Sequence, residues 1–588
     1  MKLRIASALL LVTSAVAVAY QVHVVRETSP PLSLTAYIPQ DALLTIESPD
    51  FSSLLDRWST SAESKAWLAS DNYSVFKNSR LFGRLTDAQT SFAAAAAIPA
   101  DVDLLKQVAG KESVLAWYDI GKLQFLYITR MPTDQASQTR LVQSRASFDR
   151  HHAGNADFYI RTSGNDYGTV AFAQVGDLLL LATREDLIAN ALVLIAGGTP
   201  PHSVAQEPWF QDASAALPRE QAAPALHMVL NLDRIAVDPH FRSYWVQQNI
   251  TWTRQFRAAA SDLYLEPTRF REERVLLPRS PEPASTSDVT ALADLAPDSI
   301  GVFRAVATDD PSVAVTAIQE KLLGSYATPS ANPGDAPDPS LEAQQVGSAS
   351  DLETRIDTAP PVSGSASVDG LKQLFRSANT DAVLSLSSAQ SPATKDGLWV
   401  PIHSAVVVRT AHAMAPQALA AALQQALRGS LTASTLGIEF HANTIAGASI
   451  DALTGPCPMF FATSSSAERG NLVLIADDQS LLVELLHSLA MHSPSNATPA
   501  TTIASFNHNS QSGPYLRVTS LIDGTNERGT AGTNGIGADS PSATAPAFFS
   551  RNIGSLSSSF ATLQSERVVE RAVDANLRQT VTYNWQIP

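Results

Sequence analysis

Two stretches far apart in the chain are written to the same plan. Ala171-Phe172-Ala173 leads into Gly176-Asp177-Leu178-Leu179-Leu180-Leu181-Ala182-Thr183 and then an apolar helical pattern through Leu187 and Leu192. Phe460-Phe461-Ala462 leads into Gly470-Asn471-Leu472-Val473-Leu474-Ile475-Ala476-Asp477 and a pattern through Leu481 and Leu486. Each is a strand–turn–strand–helix unit. Gly176 and Gly470 fall at the turns, where a positive φ is useful, and Thr183 and Asp477 are placed to cap the helices.

The parallel extends in order along the chain. Pro39 to Leu44 matches Pro297 to Phe303, each a turn feeding an apolar strand. Amphipathic helices started near Pro49 and Pro311 follow, and Leu105-Lys106-Gln107-Val108 before Val114–Tyr118 matches Leu371-Lys372-Gln373-Leu374 before Val383–Leu386. Strands Phe125–Arg130 and Ala405–Arg409 correspond, as do Leu226–Asp233 and Leu516–Asp523, and the closing runs Phe270–Leu277 and Leu577–Trp585. An ordered series of this kind signals an internal duplication. The expected fold class is α+β: two tandem duplicated lobes, each a mostly antiparallel sheet with helices packed on one face. Stacked lobes would leave a groove between them.

The boundaries read as follows. Residues 1–27 form a signal anchor or signal peptide, 28–36 a connector, 37–277 lobe one, 278–292 a Pro/Ser-rich linker and 293–588 lobe two. Low-complexity stretches at about 327–367, 491–513 and 523–547 read as disordered inserts, too poor in apolar residues to order themselves.

Lys2 and Arg4 precede an uncharged run from Ile5 to Val25. As a helix that run is about 31 Å long, enough to cross a hydrocarbon core of about 30 Å. Export is therefore expected, with the body extracytoplasmic and anchored to a bacterial inner membrane through residues 5–25. Ala17-Val18-Ala19 offers the alternative, cleavage near Ala19 and a secreted or periplasmic product.

Charge is sparse, 41 basic against 56 acidic residues, for a net −15. No basic run is present, so nucleic acid is not an expected partner. Cys457 is the single cysteine, which excludes an intramolecular disulfide.

The chain contains no Gly-x-Ser-x-Gly elbow, Walker A, His-Glu-x-x-His or Cys-x-x-Cys pattern. No cofactor and no metal are expected; His151-His152, beside Asp149 and Asp157, reads as a solvated loop. Asp233 and Asp523, at matching strand ends, are the candidates for an acid pair between the lobes, although a strand-end Asp more commonly caps a turn. Trp58, Trp67, Tyr73 and Phe76 form an aromatic face at helical spacing, read either as core packing or as an apolar ligand groove.

The order Pro39-x-Asp41, Trp58, Trp67-Leu68-Ala69-Ser70, Tyr73, Phe76, Ser79, Gly110-Lys111-Glu112-Ser113 and Tyr118-Asp119 resembles a bacterial family of exported, single-anchor proteins. That family is catalogued only as a domain of unknown function. The resemblance covers residues 37–280 and implies an envelope location, with no activity, ligand or catalytic residues attached. The expected function is a non-catalytic envelope binding or scaffolding protein, its partner an envelope protein or an apolar ligand. The alternative is an extracytoplasmic hydrolase with an acid or Ser site between the lobes.

Overall fold

The computed structural model describes residues 33–61, 80–119, 121–122, 124–163, 168–198, 202–237, 254–266, 269–280, 287–323, 368–389, 402–430, 439–445, 448–453, 458–491, 498–508 and 563–585, with isolated positions between 64 and 77. The anchor segment 5–25, Cys457 and the stretches 327–367 and 523–547 lie outside these residues. Among the described residues no helix is long and apolar enough to cross a membrane.

The first lobe contributes β1 (Leu44–Ser48), β2 (Ser113–Asp119), β3 (Gln124–Arg130), β4 (Asp149–Ala153) and β5 (Ala156–Thr162). It continues with β6 (Thr169–Val175), β7 (Leu178–Ala182), β8 (Leu226–Asn231), β9 (Phe256–Leu265) and β10 (Arg269–Pro278). The second contributes β11 (Val302–Ala307), β12 (Thr380–Ala389), β13 (Ile402–Thr410), β14 (His441–Ile445) and β15 (Ala448–Leu453). Its remaining strands are β16 (Met459–Ser466), β17 (Gly470–Ala476), β18 (Thr502–Asn507), β19 (Leu563–Val573) and β20 (Asn576–Trp585).

Followed through its pairings, the first lobe runs β4-β5-β6-β7-β3-β2-β1-β8-β9-β10. The second runs β14-β15-β16-β17-β13-β12-β11-β18-β19-β20, the same order with every strand replaced by its counterpart. Every one of these pairs is antiparallel. The duplication is therefore structural. β10 pairs with β20, so the two lobes form one continuous 20-stranded sheet. They are joined edge to edge instead of being stacked, and this pairing satisfies an edge that each lobe would otherwise expose.

Helices cover both faces of the sheet, not one as the pattern suggested. On one face α1 (Phe51–Thr60), α2 (Arg80–Ala96) and α3 (Val102–Val108) belong to the first lobe, and Ala95, Leu104 and Val108 pack there against Leu179 and Leu181. On the other, α4 (Glu185–Ile195) covers Leu178 and Leu180 of β7, and α5 (Pro208–Ala216) lies over β8 and β9. The second lobe repeats the scheme. Its α6 (Thr290–Ala293) and α10 (Gln479–Met491) share the face of α4, and α7 (Pro311–Lys321), α8 (Asp369–Ser377) and α9 (Pro416–Ser430) share the face of α2. Burial on both sides explains why β7 and β17 are unbroken apolar runs without alternation.

Local signals explain several elements. Gly176 and Gly470 have φ of 59° and 75°, the left-handed turn conformation the sequence called for. Asp50 and Asp310 cap α1 and α7 by accepting from Ser53 and Ser312 backbone N–H groups. Thr183 and Asp477 play a different part from the one expected. Their side chains accept from the backbone N–H groups of Phe125 and Ser404, closing the ends of β3 and β13, while Asp478 accepts from Leu481 and caps α10.

Three boundaries move. Leu34, in the expected connector, is 1% exposed and belongs to the first core. Val289 and Leu292, in the expected linker, are buried in the second, where Asp288 accepts from the N–H groups of Thr290 and Ala500. Within 491–513, Thr502–Asn507 is the interior strand β18, between β11 and β19. Its composition hides it because both faces mix apolar and polar residues, Thr502, Ala504 and Phe506 on one and Ile503, Ser505 and Asn507 on the other.

Candidate functional site

A cleft of about 900 Å³ opens in the second lobe. Its floor is sheet: Phe303 of β11, Ser505 and Asn507 of β18, and Ser565 and Arg567 of β19. One wall is the segment from α6 into β11, with Asp294, Pro297, Asp298, Ser299 and Ile300. The opposite wall is α10, through Val483, Glu484, His487 and Ser488. The Ser299 hydroxyl donates to Glu484 Oε2 at 3.2 Å, tying the two walls together.

The duplication supplies the comparison that gives the cleft its meaning. In the first lobe, Thr45, Val229, Ala260 and Val275 lie opposite one another across β1, β8, β9 and β10. In the second, the same row is Phe303, Ser505, Arg567 and Thr582. The next row on that face continues the pattern: Asn231, Ala258 and Leu277 against Asn507, Ser565 and Asn584. Asn231 and Asn507 are equivalent in detail, since their N–H groups donate to Leu43 O and Gly301 O at 2.9 and 2.7 Å.

Val229, Ala258, Ala260 and Val275 are fully buried, sealed by Phe210 and Ala213 of α5. No described helix of the second lobe occupies the corresponding seat, and there the floor carries Ser505, Ser565 and Arg567. Removing an apolar lid from an apolar floor would expose the floor to water; here the floor has become polar as well. The cleft is therefore a surface built for contact with water or a polar ligand.

The neighbouring row inverts this difference. Glu47, His227, Asp262 and Glu273 stand side by side on β1, β8, β9 and β10, where the second lobe has Ala305, Ile503, Val569 and Thr580. His227 Nδ1 lies 2.6 Å from Asp262 Oδ1, and Tyr264 donates to Asp262 Oδ2 at 3.4 Å. Arg271 donates to Glu273 at 2.7 Å and to Glu220 at 3.1 Å, with its guanidinium 4.4 Å from the Tyr264 ring centre. Burial works against the charged His227 imidazole, but the hydrogen bond to Asp262 and the charges of Glu47 and Asp262 outweigh it and raise its pKa. Burial raises the Glu47 carboxyl against the opposing pull of His227 and of the Ser33 hydroxyl. Burial and the Asp262 charge push the Tyr264 phenol up to about 12.

The residues singled out from the sequence are not brought together. Asp233 lies just past β8 and forms a 2.7 Å ion pair with Arg279. Asp523 lies outside the described residues, and the strand that corresponds to β8 is β18, not Leu516–Asp523. Trp58 is 53% exposed on α1. Tyr73 meets the Phe82 ring edge-on at 6.4 Å, with Lys77 Nζ 5.3 Å from the Tyr73 ring centre. Trp67 and Phe76 lie outside the described residues. His151 and His152 belong to β4 and not to a loop; they contact Glu185 at 2.8 Å and Asp157 at 3.1 Å. The cleft residues carried no motif. The signal that could have found them was the mismatch between copies, an apolar strand position in one lobe answered by Ser or Arg in the other.

No protein-family model matches this sequence, and no curated protein matches it significantly. Similar solved structures include crystal forms of a protein named TP0453. Crystal form I is 8% identical with a TM-score of 0.23, covering 41% of this chain and 77% of that one. Crystal form IV is 11% identical with a TM-score of 0.24, covering 43% and 82%. Scores at this level carry no argument about function.

Proposed function

We propose that this chain is an exported cell-envelope protein with a non-catalytic binding role, and that the cleft of the second lobe is its binding site. One observation carries the site: the seat that α5 seals in the first lobe is uncovered by any described helix in the second, and its floor is rebuilt with Ser505, Ser565 and Arg567. A volume of about 900 Å³ is in the range of small-molecule pockets. The basic start and uncharged run of residues 5–25 support export, and the resemblance of residues 37–280 to an exported family agrees with it. The extracytoplasmic hydrolase is the weaker reading. The His227–Asp262 pair is what it would build on, but the neighbours in that row are Glu47 and Glu273, carboxylates instead of a hydroxyl nucleophile.

The test is fractionation of the full chain expressed in a bacterial host, followed by recovery of bound material from solubilised envelope with the protein and with Ser505→Trp. Export requires recovery in the envelope or periplasm; recovery in the cytosol overturns it. A binding cleft requires material retained by the protein and lost from Ser505→Trp, because an indole would fill the floor. Equal retention by both would overturn the site.

A further inference from the structure

The cleft of the second lobe has the charge layout of a receptor for a small molecule carrying both signs. Arg567 is exposed on the floor and has no salt-bridge partner among the described residues. Ser505 is its direct cross-strand neighbour, and Ser565 lies two residues along its own strand on the same face. The Ser505 hydroxyl donates to Glu566 O at 3.1 Å, whereas Ser565 Oγ accepts from Asn584 Nδ2 at 3.0 Å and keeps its proton to donate. A planar guanidinium beside such a hydroxyl is suited to a carboxylate, which it can bind through two parallel hydrogen bonds.

The walls carry the opposite sign. Asp298 and Glu484 line them, Asp294 beside them being already engaged electrostatically with Arg469, and the Ser299–Glu484 hydrogen bond holds the carboxylate of α10 beside the segment that carries Asp298. A simple anion drawn to Arg567 would meet the Asp298 and Glu484 carboxylates, and a simple cation drawn to the walls would meet Arg567. A ligand with an anionic and a cationic end answers both. The volume exceeds what one amino acid fills. The apolar lining from Ala296, Pro297, Ile300, Phe303 and Val483 offers room for small side chains between the two ends.

We propose that this cleft binds short peptides with free termini, the C-terminal carboxylate on Arg567 and the Ser565 hydroxyl, and the N-terminal ammonium between Asp298 and Glu484. The assignment rests on the cleft being the binding site. It is tested by calorimetric titration of the purified full chain in detergent with tri-L-alanine, its N-acetyl derivative, its C-terminal amide and free L-alanine. Tri-alanine is expected to bind at least tenfold more tightly than either blocked form and than free alanine. In Arg567→Ala the free acid and the amide are expected to bind alike; that variant removes an exposed side chain and is checked for fold by circular dichroism. No binding of tri-alanine, or a preference for the free acid that survives in Arg567→Ala, overturns the assignment. Free alanine binding as tightly as tri-alanine overturns the peptide and leaves a single amino acid. If tri-alanine fails while Ser505→Trp still releases envelope material, the ligand class falls and the binding role stands. If Ser505→Trp releases nothing, both fall.

Discussion

The Thr580 hydroxyl donates a 2.8 Å hydrogen bond to Glu273 Oε2, and the two residues occupy the same position in the two copies of the fold. Each is the fifth residue of its strand, in β10 and in β20, and they face each other at the centre of the pairing that joins the lobes. A strand that pairs with its own counterpart about a twofold centre makes the same kind of interface as a symmetric dimer. The chain thus holds, in covalent form, the arrangement two identical lobes would adopt edge to edge. The two positions have diverged to Glu and Thr, which avoids opposing two carboxylates at the axis.

Thr580→Val is expected to lower the unfolding free energy by about 1.5 kcal/mol, the low end for a hydrogen bond to a charged group, since this acceptor keeps another partner. Glu273 retains Arg271 at 2.7 Å. Thr580→Glu should cost more, since it sets like charges directly opposite. Urea denaturation of the two variants checks the order; equal stabilities would contradict the role given to the hydrogen bond.

The Glu47–His227–Asp262 row predicts a pH dependence with a definite sign. The folded His227 pKa is raised above the unfolded value of about 6.5, so its contribution is fully present below that pH and lost as pH rises through the raised value. Glu47 is also raised, and its contribution is likewise lost as pH rises through its own folded value. Unfolding free energy should therefore fall as pH rises from the unfolded histidine value of about 6.5 through the raised value of His227, and His227→Gln should flatten the slope. Denaturation midpoints across that range decide it. An unchanged slope in the variant would remove His227 as the source.

Phe210→Ala should destabilise the first lobe by about 3–4 kcal/mol, because the ring seals Val229, Ala258 and Ala260 beneath α5. Ser505→Val, at the counterpart of Val229, should change stability by less than about 1 kcal/mol, since no described helix packs on it. Thermal unfolding of the pair reads the difference directly.

Gly110 and Gly176 separate two uses of glycine. A Cβ at Gly110 would lie 2.2 Å from Thr129 Oγ1 and 2.3 Å from the Arg130 carbonyl oxygen, so Gly110→Ala must displace β3. Gly176 has open space but a φ of 59°, so Gly176→Ala should cost only about 1–2 kcal/mol of backbone strain. Soluble yield and melting temperature should rank Gly110→Ala well below Gly176→Ala.

Much of the architecture was legible because it is local. The turn glycines, the helix starts near Pro49 and Pro311 and the apolar runs of β7 and β17 are written in neighbouring residues. Strand β18 was not, since Thr502 to Asn507 lacks the apolar alternation of a half-buried strand. Its place between β11 and β19 rests on hydrogen bonds to strands distant in sequence. The cleft was invisible for a related reason: Ser505 and Arg567 become neighbours only through the β18–β19 register.

The sequence by itself determined that one α+β plan is used twice, because side-chain periodicity and turn chemistry act within a few residues. Only the tertiary structure decided how the copies meet and which of them carries a described helix over its floor. Edge pairing of β10 with β20 and the seating of α5 over β8 and β9 are contacts between surfaces brought together only by folding. Pairwise register, which no single segment carries, made one lobe's apolar seat into the other's polar cleft.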